Sequence, residues 1–217
     1  MPYRPTAKTE AKKAAMRASL MAAACKLFSE QGYEATTLQQ IVKEARTSIG
    51  NCYFYFPNKE AILLAVAADL RQEVTQIIDH AIEQLPLGPG LLAVALYVGT
   101  LAVLERPQTA RFALSDGAHP SLRPLTMSLF TARVEDALVA MPGLFADWPD
   151  ANPQMAAAAW HGASSHVLEG YVTGRIKDQP EQLARFLARW NLQAIGLSPQ
   201  LVQDCMNKLD QFIDTHV

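Results

Sequence analysis

The sequence predicts an all-α protein in which a short N-terminal unit of three helices precedes a larger helical body. Three observations carry this prediction. Apolar residues recur at spacings of three and four, runs that alternate like β-strands are few, and Pro and Gly divide the chain into helix-length segments. Half of the 217 residues are apolar and 18% are charged, which is enough apolar material for a core. We expect nine or ten helices.

The first helix is predicted from residue 11 or earlier to Gln31, where Gly32 ends it. Its apolar positions share one face and are Met16, Leu20, Ala23, Ala24, Leu27 and Phe28. In the next helix, Thr37 and Gln40 have the spacing of a capping box, in which each side chain satisfies a backbone N–H of the first turn.

A two-residue break separates this second helix from Ser48, which is a favourable N-cap for a third helix ending near Tyr55. Pro57 ends that helix, and Asn58 can cap a long one that continues to about Gln84. We therefore predict a first domain over residues 1–57 and a second over 58–217.

Residues 85–90, "LPLGPG", are predicted to end the long helix and to separate it from the remaining helices of the body. The apolar run of residues 91–104 has fourteen residues, fewer than the about 20 that cross a bilayer, so we predict a buried helix. Cys25, Cys52 and Cys205 are too few and too scattered for a disulfide framework or a zinc site, which favours a reducing cytoplasm. The histidines have no ligand spacing, so neither a metal nor a cofactor is predicted.

Charge is distributed unevenly along the chain. Residues 1–60 hold nine Lys and Arg against five acids, whereas residues 61–217 hold ten against sixteen. The N-terminal unit is therefore basic and the body acidic. This asymmetry indicates that the N-terminal unit meets a polyanion, although chance drift of surface charge is the alternative.

Two short helices joined by a tight turn are the layout of a helix-turn-helix, whose second helix enters the DNA major groove. In residues 52–56, "CYFYF", the four rings cannot all face one core. We expect Cys52 and Phe56 to be buried, Phe54 to pack against the next helix, and Tyr53 and Tyr55 to face DNA.

The expected DNA contacts divide into phosphate contacts and base contacts. Tyrosine hydroxyls and Lys59, at the start of the long helix, are expected to bind phosphates, and base edges are left to Ile49, Gly50 and Asn51. The complete predicted DNA-binding set is Thr37, Arg46, Ser48, Ile49, Gly50, Asn51, Tyr53, Tyr55 and Lys59.

Residues 27–63, "LFSEQGYEATTLQQIVKEARTSIGNCYFYFPNKEAIL", resemble the DNA-binding domain of the TetR family of bacterial transcriptional repressors. The resemblance implies a homodimer whose C-terminal helical domain both dimerises and binds a small inducer. Arg46 stands where the family usually has glycine, which costs roughly 1 kcal/mol if the backbone there is left-handed.

In the body, the family arrangement places several side chains around an interior cavity. The predicted pocket residues are Tyr97, Phe112, Met127, Phe130, His161 and Ser165, and they would suit a lipophilic or aromatic effector. Plain core packing is the alternative for each. The predicted dimer interface, between two helices of each chain, comprises Trp160, Ser164, Phe186 and Trp190.

These features predict a repressor that binds a palindromic DNA operator as a homodimer and is released by a small molecule. Two other hypotheses for the function stay open. One is a regulator that responds to oxidation of Cys52 or Cys25. The other is an α-helical enzyme with a vestigial DNA-binding unit, but no catalytic motif supports it, so we expect no enzymatic activity.

Overall fold

The computed structural model describes residues 7–114, 134–141 and 152–216, and these ranges are helical with no strand among them. None of the helices in these ranges is long and apolar enough to cross a membrane. The helices are α1 (Ala7–Gln31), α2 (Leu38–Glu44), α3 (Ile49–Tyr55), α4 (Lys59–Ile82), α5 (Pro89–Leu104), α6 (Pro107–Leu114), α7 (134–139), α8 (Pro153–Val172), α9 (Pro180–Ala194) and α10 (Pro199–His216).

Side-chain caps set the starts of α2, α3 and α4. Thr37 and Gln40 form the predicted capping box at the start of α2, and the Ser48 hydroxyl accepts a hydrogen bond from the Asn51 N–H at the start of α3. Asn58 caps α4 by accepting from Ala61 N at 2.8 Å. The predicted starts of α2, α3 and α4 are therefore confirmed.

The N-terminal unit, formed by α1, α2, α3 and the start of α4, has its own core. Phe28 of α1, Ile41 of α2 and Cys52 of α3 are almost fully buried in one cluster, together with Ile62 of α4. The cluster continues along α4 as far as Ala67. The first nine residues of α4 thus complete this core, and α4 is shared between the N-terminal unit and the body.

The body is built around α5, which packs against α4, α9 and α10. The predicted buried helix is confirmed, since nine of the sixteen residues of α5 are buried. Tyr97 of α5, Trp160 of α8 and Leu192 of α9 belong to one core cluster. A second cluster joins the C-terminal half of α4 to α5, α8 and α9 through Val74, among others.

Polar contacts join α6 and the residue before it to α4 and to α1. Arg106, just before α6, forms an ion pair with Glu73 of α4, with 2.5 Å between Nε and Oε2. The Cys25 thiol of α1 lies 3.1 Å from the Thr109 hydroxyl of α6. A displacement of α4 or α6 in the body therefore acts directly on α1.

Candidate functional site

The turn between α2 and α3 has the hydrogen bonds of a Schellman motif. Arg46 N donates to Lys43 O at 3.2 Å, and Thr47 N donates to Val42 O at 2.9 Å. Arg46 has φ of 53° and is the only non-glycine residue with positive φ among the described residues. Its exposed side chain lies beside the start of α3, where a cation is well placed for a phosphate.

The N-terminal turn of α3 is open to solvent. Ser48, Ile49 and Gly50 are all exposed, with Ile49 at 38%. A Cβ atom placed on Gly50 would meet no other protein atom within 4 Å. The backbone of α3 can therefore approach a second molecule closely at this position.

Asn51 combines an internal bond with free hydrogen-bonding capacity. Its Nδ2 donates to the Thr47 hydroxyl at 2.8 Å, which fixes the amide at the start of α3. A carboxamide has a second N–H donor and two acceptor lone pairs. The amide can thus still make the paired donor and acceptor contacts that recognise adenine.

The aromatic residues at the end of α3 are buried and exposed in a different pattern from the one predicted. Cys52 and Phe56 are buried and Tyr53 is 54% exposed, as expected. Phe54 was predicted to pack against α4, but it is 68% exposed and contacts Tyr55 edge to face at 5.0 Å. Tyr55 instead is half-buried against the core of the N-terminal unit. The exposed aromatic surface of α3 is therefore the adjacent pair Tyr53 and Phe54, and Tyr55 offers DNA less surface than predicted.

Lys59 is held by the protein itself. Its ammonium donates to Tyr33 O at 2.6 Å and to Thr36 O at 2.8 Å, and it lies 4.0 Å from the centre of the Tyr33 ring. These contacts pin the turn between α1 and α2 to the start of α4. These bonds use two of the three N–H donors of the ammonium, so the predicted phosphate contact stays a prediction and falls to the third donor. No local pattern indicates this contact, since the partners of Lys59 lie 23 and 26 residues away.

Thr37 also has internal partners. Its hydroxyl accepts from Gln40 N at 3.3 Å and donates to Gln40 Oε1 at 3.1 Å. The side chain is exposed, so an oxygen lone pair remains available while the hydrogen is used within α2. A phosphate contact by the Thr37 hydroxyl would have to compete with this capping interaction.

Two substitutions of Arg46 separate the backbone strain at this position from the contribution of its side chain to DNA binding. Replacing it with glycine should raise the free energy of unfolding by roughly 1 kcal/mol, because glycine adopts positive φ without strain. The same change should weaken DNA binding and lower the salt dependence by about one phosphate contact. Arg46→Ala is the matched control, since it removes the charge and keeps the strain. Equal stability of the two variants would contradict the strain, and unchanged DNA affinity of both would contradict the contact.

A cavity of about 360 Å³ lies inside the body, between α4, α5, α7 and α8. Aliphatic side chains form most of its walls, including Val74 and Ile78 of α4 and Leu96 of α5. His161 and Ser165 lie on its wall, and the Ser165 hydroxyl is 3.3 Å from His161 Nε2. Burial lowers the pKa of His161, so its ring is neutral near pH 7.

Of the other predicted pocket residues, the structure places only the side chain of Tyr97, and Tyr97 does not line the cavity. Tyr97 is only 5% exposed, and it lies in the core cluster with α9 rather than along the cavity. Met127 and Phe130 lie outside the described residues, and so does the side chain of Phe112. The sequence reasoning missed Thr100 and Arg71, which line the cavity. Thr100 is the single hydroxyl residue besides Tyr97 in the apolar run of residues 91–104, and this was the available signal.

The predicted dimer residues also separate into two groups. Trp160 is 5% exposed within its own core, and Ser164 accepts a hydrogen bond from Asn191 Nδ2 at 3.1 Å and lines the cavity. Trp160 therefore belongs to the interior of the body, which corrects its assignment to an interface, whereas Ser164 is half-buried and its place in an interface stays a prediction. Phe186 and Trp190, by contrast, are 53% and 41% exposed on α9. Being four residues apart, they share one helix face.

The sequence of the N-terminal unit is similar to that of known proteins. Residues 20–66 match the family described as bacterial regulatory proteins, tetR family. The HTH-type transcriptional regulator HbdR of Aromatoleum sp. (strain CIB) is 44% identical over 69 residues, which are 32% of this chain and 30% of HbdR. The match to HbdR therefore spans less than a third of that relative, and residues 20–66, which match the family, include α2 and α3.

Comparison with solved structures extends the similarity to the body. The crystal structure of RolR in complex with resorcinol aligns with a TM-score of 0.65 and 21% identity, over 90% of this chain and 95% of RolR. SmeT, the repressor of a multidrug efflux pump of Stenotrophomonas maltophilia, aligns in its triclosan complex with a TM-score of 0.68 and 22% identity, over 85% of this chain and 96% of SmeT. At these identities the alignments establish a shared fold, with a helix-turn-helix unit followed by a helical body.

Proposed function

We propose that this chain, which belongs through its N-terminal unit to the tetR family of bacterial regulatory proteins, is a DNA-binding transcriptional repressor released by a small molecule. The observation that carries the proposal is the open N-terminal turn of α3. There Ile49, Gly50 and Asn51 present an apolar side chain, bare backbone and an amide to the outside. These are the groups that read base edges in the major groove.

The proposed link between the cavity and the DNA-binding unit is α4, which is continuous from Lys59 to Ile82. Its first half completes the core of the N-terminal unit, and its second half forms one wall of the cavity. A compound that fills the cavity better when α4 is shifted would favour a spacing of the two reading helices that does not match DNA. Such coupling is typically worth about 1–3 kcal/mol, or 5- to 150-fold in affinity.

The nature of the effector is supported by the cavity walls and by proteins of the same fold. The described walls are mainly aliphatic, with a few uncharged polar groups and the charged residues Arg71 and Asp136, which suits a mainly lipophilic compound. RolR and SmeT, which share the fold, have been crystallised with resorcinol and triclosan, both aromatic. A lipophilic or aromatic effector is therefore part of the proposal.

The proposed assembly is a homodimer, because a two-fold pair of reading helices matches a palindromic operator. Phe186 and Trp190 give α9 an exposed aromatic face that a second copy would cover. Binding to an operator also requires access to the cell's DNA, so a cytoplasmic location belongs to the proposal.

The alternative of a thiol-based regulator receives no support from the cysteines. Cys52 is fully buried, and burial raises the pKa of both the Cys52 and the Cys25 thiol. A reactive cysteine needs the opposite, a lowered pKa together with access. A role as an enzyme has no observation in its favour, and we propose a regulator rather than an enzyme.

The proposal is tested by titrating the protein against the DNA upstream of its own gene, with fluorescence anisotropy at several salt concentrations. We expect saturable binding whose affinity falls steeply with salt, as phosphate contacts require. A scrambled DNA of the same length is the control and should bind more weakly. Absence of binding, or binding that does not change with salt, would contradict the proposal.

A further inference from the structure

The distribution of polar groups in the cavity indicates which kind of compound fills it. Among the described residues, the uncharged polar side chains on the wall come from two helices, Thr100 of α5 and the group His161, Ser164 and Ser165 of α8. The charged lining residues in the same ranges are Arg71, which is half-buried, and Asp136, which is exposed. Apart from these two, the polar side chains that the described residues place on the wall are neutral.

Thr100 has an unsatisfied hydroxyl on this wall. The residue is only 4% exposed, and its hydroxyl makes no hydrogen bond to another residue in the described part of the chain. A buried hydroxyl is normally hydrogen-bonded, and one without a partner in the protein calls for a partner in the cavity. Thr100 is therefore a hydrogen-bonding position for whatever occupies the space.

The α8 side of the cavity provides both a donor and an acceptor. Ser164 Oγ accepts from Asn191 Nδ2 at 3.1 Å, which leaves the Ser164 hydroxyl hydrogen free to donate. Ser165 Oγ lies 3.3 Å from His161 Nε2, and it keeps a free lone pair whichever of these two atoms is the donor. Adjacent positions on α8 can thus donate to and accept from a single ligand group.

We propose that the effector is an uncharged, mainly apolar compound carrying a hydroxyl group, which is held by Thr100, Ser164 and Ser165. This inference rests on the proposed function, since it names the ligand class of the same cavity. A ligand hydroxyl both donates and accepts a hydrogen bond. It can therefore donate to Ser165 Oγ and at the same time accept from the hydroxyl of Ser164 or of Thr100. An ether can only accept. A carboxylate would bring its charge into a mostly aliphatic space, which is unfavourable.

Three probes with the same ring system test this proposal: 2-naphthol, 2-methoxynaphthalene and 2-naphthoate. Each is titrated into the full-length protein without DNA by isothermal titration calorimetry. We expect 2-naphthol to bind at least about tenfold more tightly than its methyl ether, because a site built for a hydroxyl loses hydrogen bonds with the analogue that lacks one. We expect 2-naphthoate to bind more weakly than both.

The variants Thr100→Val and Ser165→Ala locate the effect in the cavity. Each removes one hydroxyl with little change in shape, and each should reduce the preference for 2-naphthol over the ether to within about threefold. Thr215→Val is the control, because the Thr215 hydroxyl bonds to Gln211 O on exposed α10, and it should leave all affinities unchanged. Thermal melting verifies that every variant is folded.

Several outcomes would overturn the inference. They are a lack of saturable binding of 2-naphthol up to its solubility limit, equal affinity for the three probes, and a preference for 2-naphthoate that Arg71→Met abolishes. DNA binding, measured on the same preparation, tests the proposed function separately. A protein that binds its upstream DNA but does not prefer 2-naphthol refutes the ligand class alone. One that prefers 2-naphthol but binds no DNA refutes the repressor.

Discussion

Replacing Gly50 with leucine should abolish specific DNA binding, with a loss of at least about a hundredfold, or roughly 2.7 kcal/mol. The side chain would project from the exposed first turn of α3, where a Cβ meets no protein atom within 4 Å. The isolated protein has room for it, and the substitution removes a helical glycine, so stability should be unchanged or slightly higher. Steric exclusion from the major groove is then the reason for the loss. Anisotropy titrations and thermal melts of the same sample measure the two effects.

Gln76→Leu is the matched control for this variant. It places the same side chain at an exposed position of another helix, α4, and should leave DNA affinity unchanged. Retention of full DNA affinity by Gly50→Leu would show that the first turn of α3 does not approach DNA closely. Loss of thermal stability would instead show that the leucine disturbs the fold.

Replacing Lys59 with methionine should lower the free energy of unfolding by about 2–3 kcal/mol. The change keeps an unbranched side chain and removes the ammonium that bonds to two carbonyl groups and lies over the Tyr33 ring. Loosening of the turn between α1 and α2 should weaken binding to all DNA sequences alike. The salt slope should also fall by about one contact, because the third N–H donor of the ammonium is predicted to bind a phosphate. Denaturant unfolding and salt titrations of DNA affinity provide the measurement.

Lys12→Met serves as the control for stability, since Lys12 is exposed on α1 and its loss should change stability by less than about 0.5 kcal/mol. Unchanged stability of Lys59→Met would contradict the stabilising role of its two internal bonds. An unchanged salt slope would contradict the phosphate contact predicted from the sequence.

The parts of the structure that the sequence predicted are those governed by local interactions. Thr37, Ser48 and Asn58 each cap a helix through the residue three positions later, so their roles can be predicted from spacing alone. The burial of Cys52 and Phe56 follows likewise from the periodicity of α3.

The features that the sequence did not predict depend on contacts between distant segments. Lys59 bonds to carbonyl groups 23 and 26 residues earlier, and no local pattern indicates them. Tyr97 lies on α5, which is apolar on nearly all sides, so periodicity cannot tell its cavity side from its core side. Phe54 was assigned to a contact with α4 although Tyr55 takes the half-buried position. Adjacent aromatic residues exchange such roles with a small rotation of the helix.

The central claim, that α3 carries the DNA-contacting surface, is tested most directly by site-specific photo-crosslinking. A benzoylphenylalanine placed at Tyr53, which is 54% exposed on α3, should crosslink to the upstream DNA on irradiation of the complex. The same group at Leu201, which is 39% exposed on α10, should not. Crosslinking at position 201 but not at position 53, in samples that bind the DNA equally well, would contradict the account.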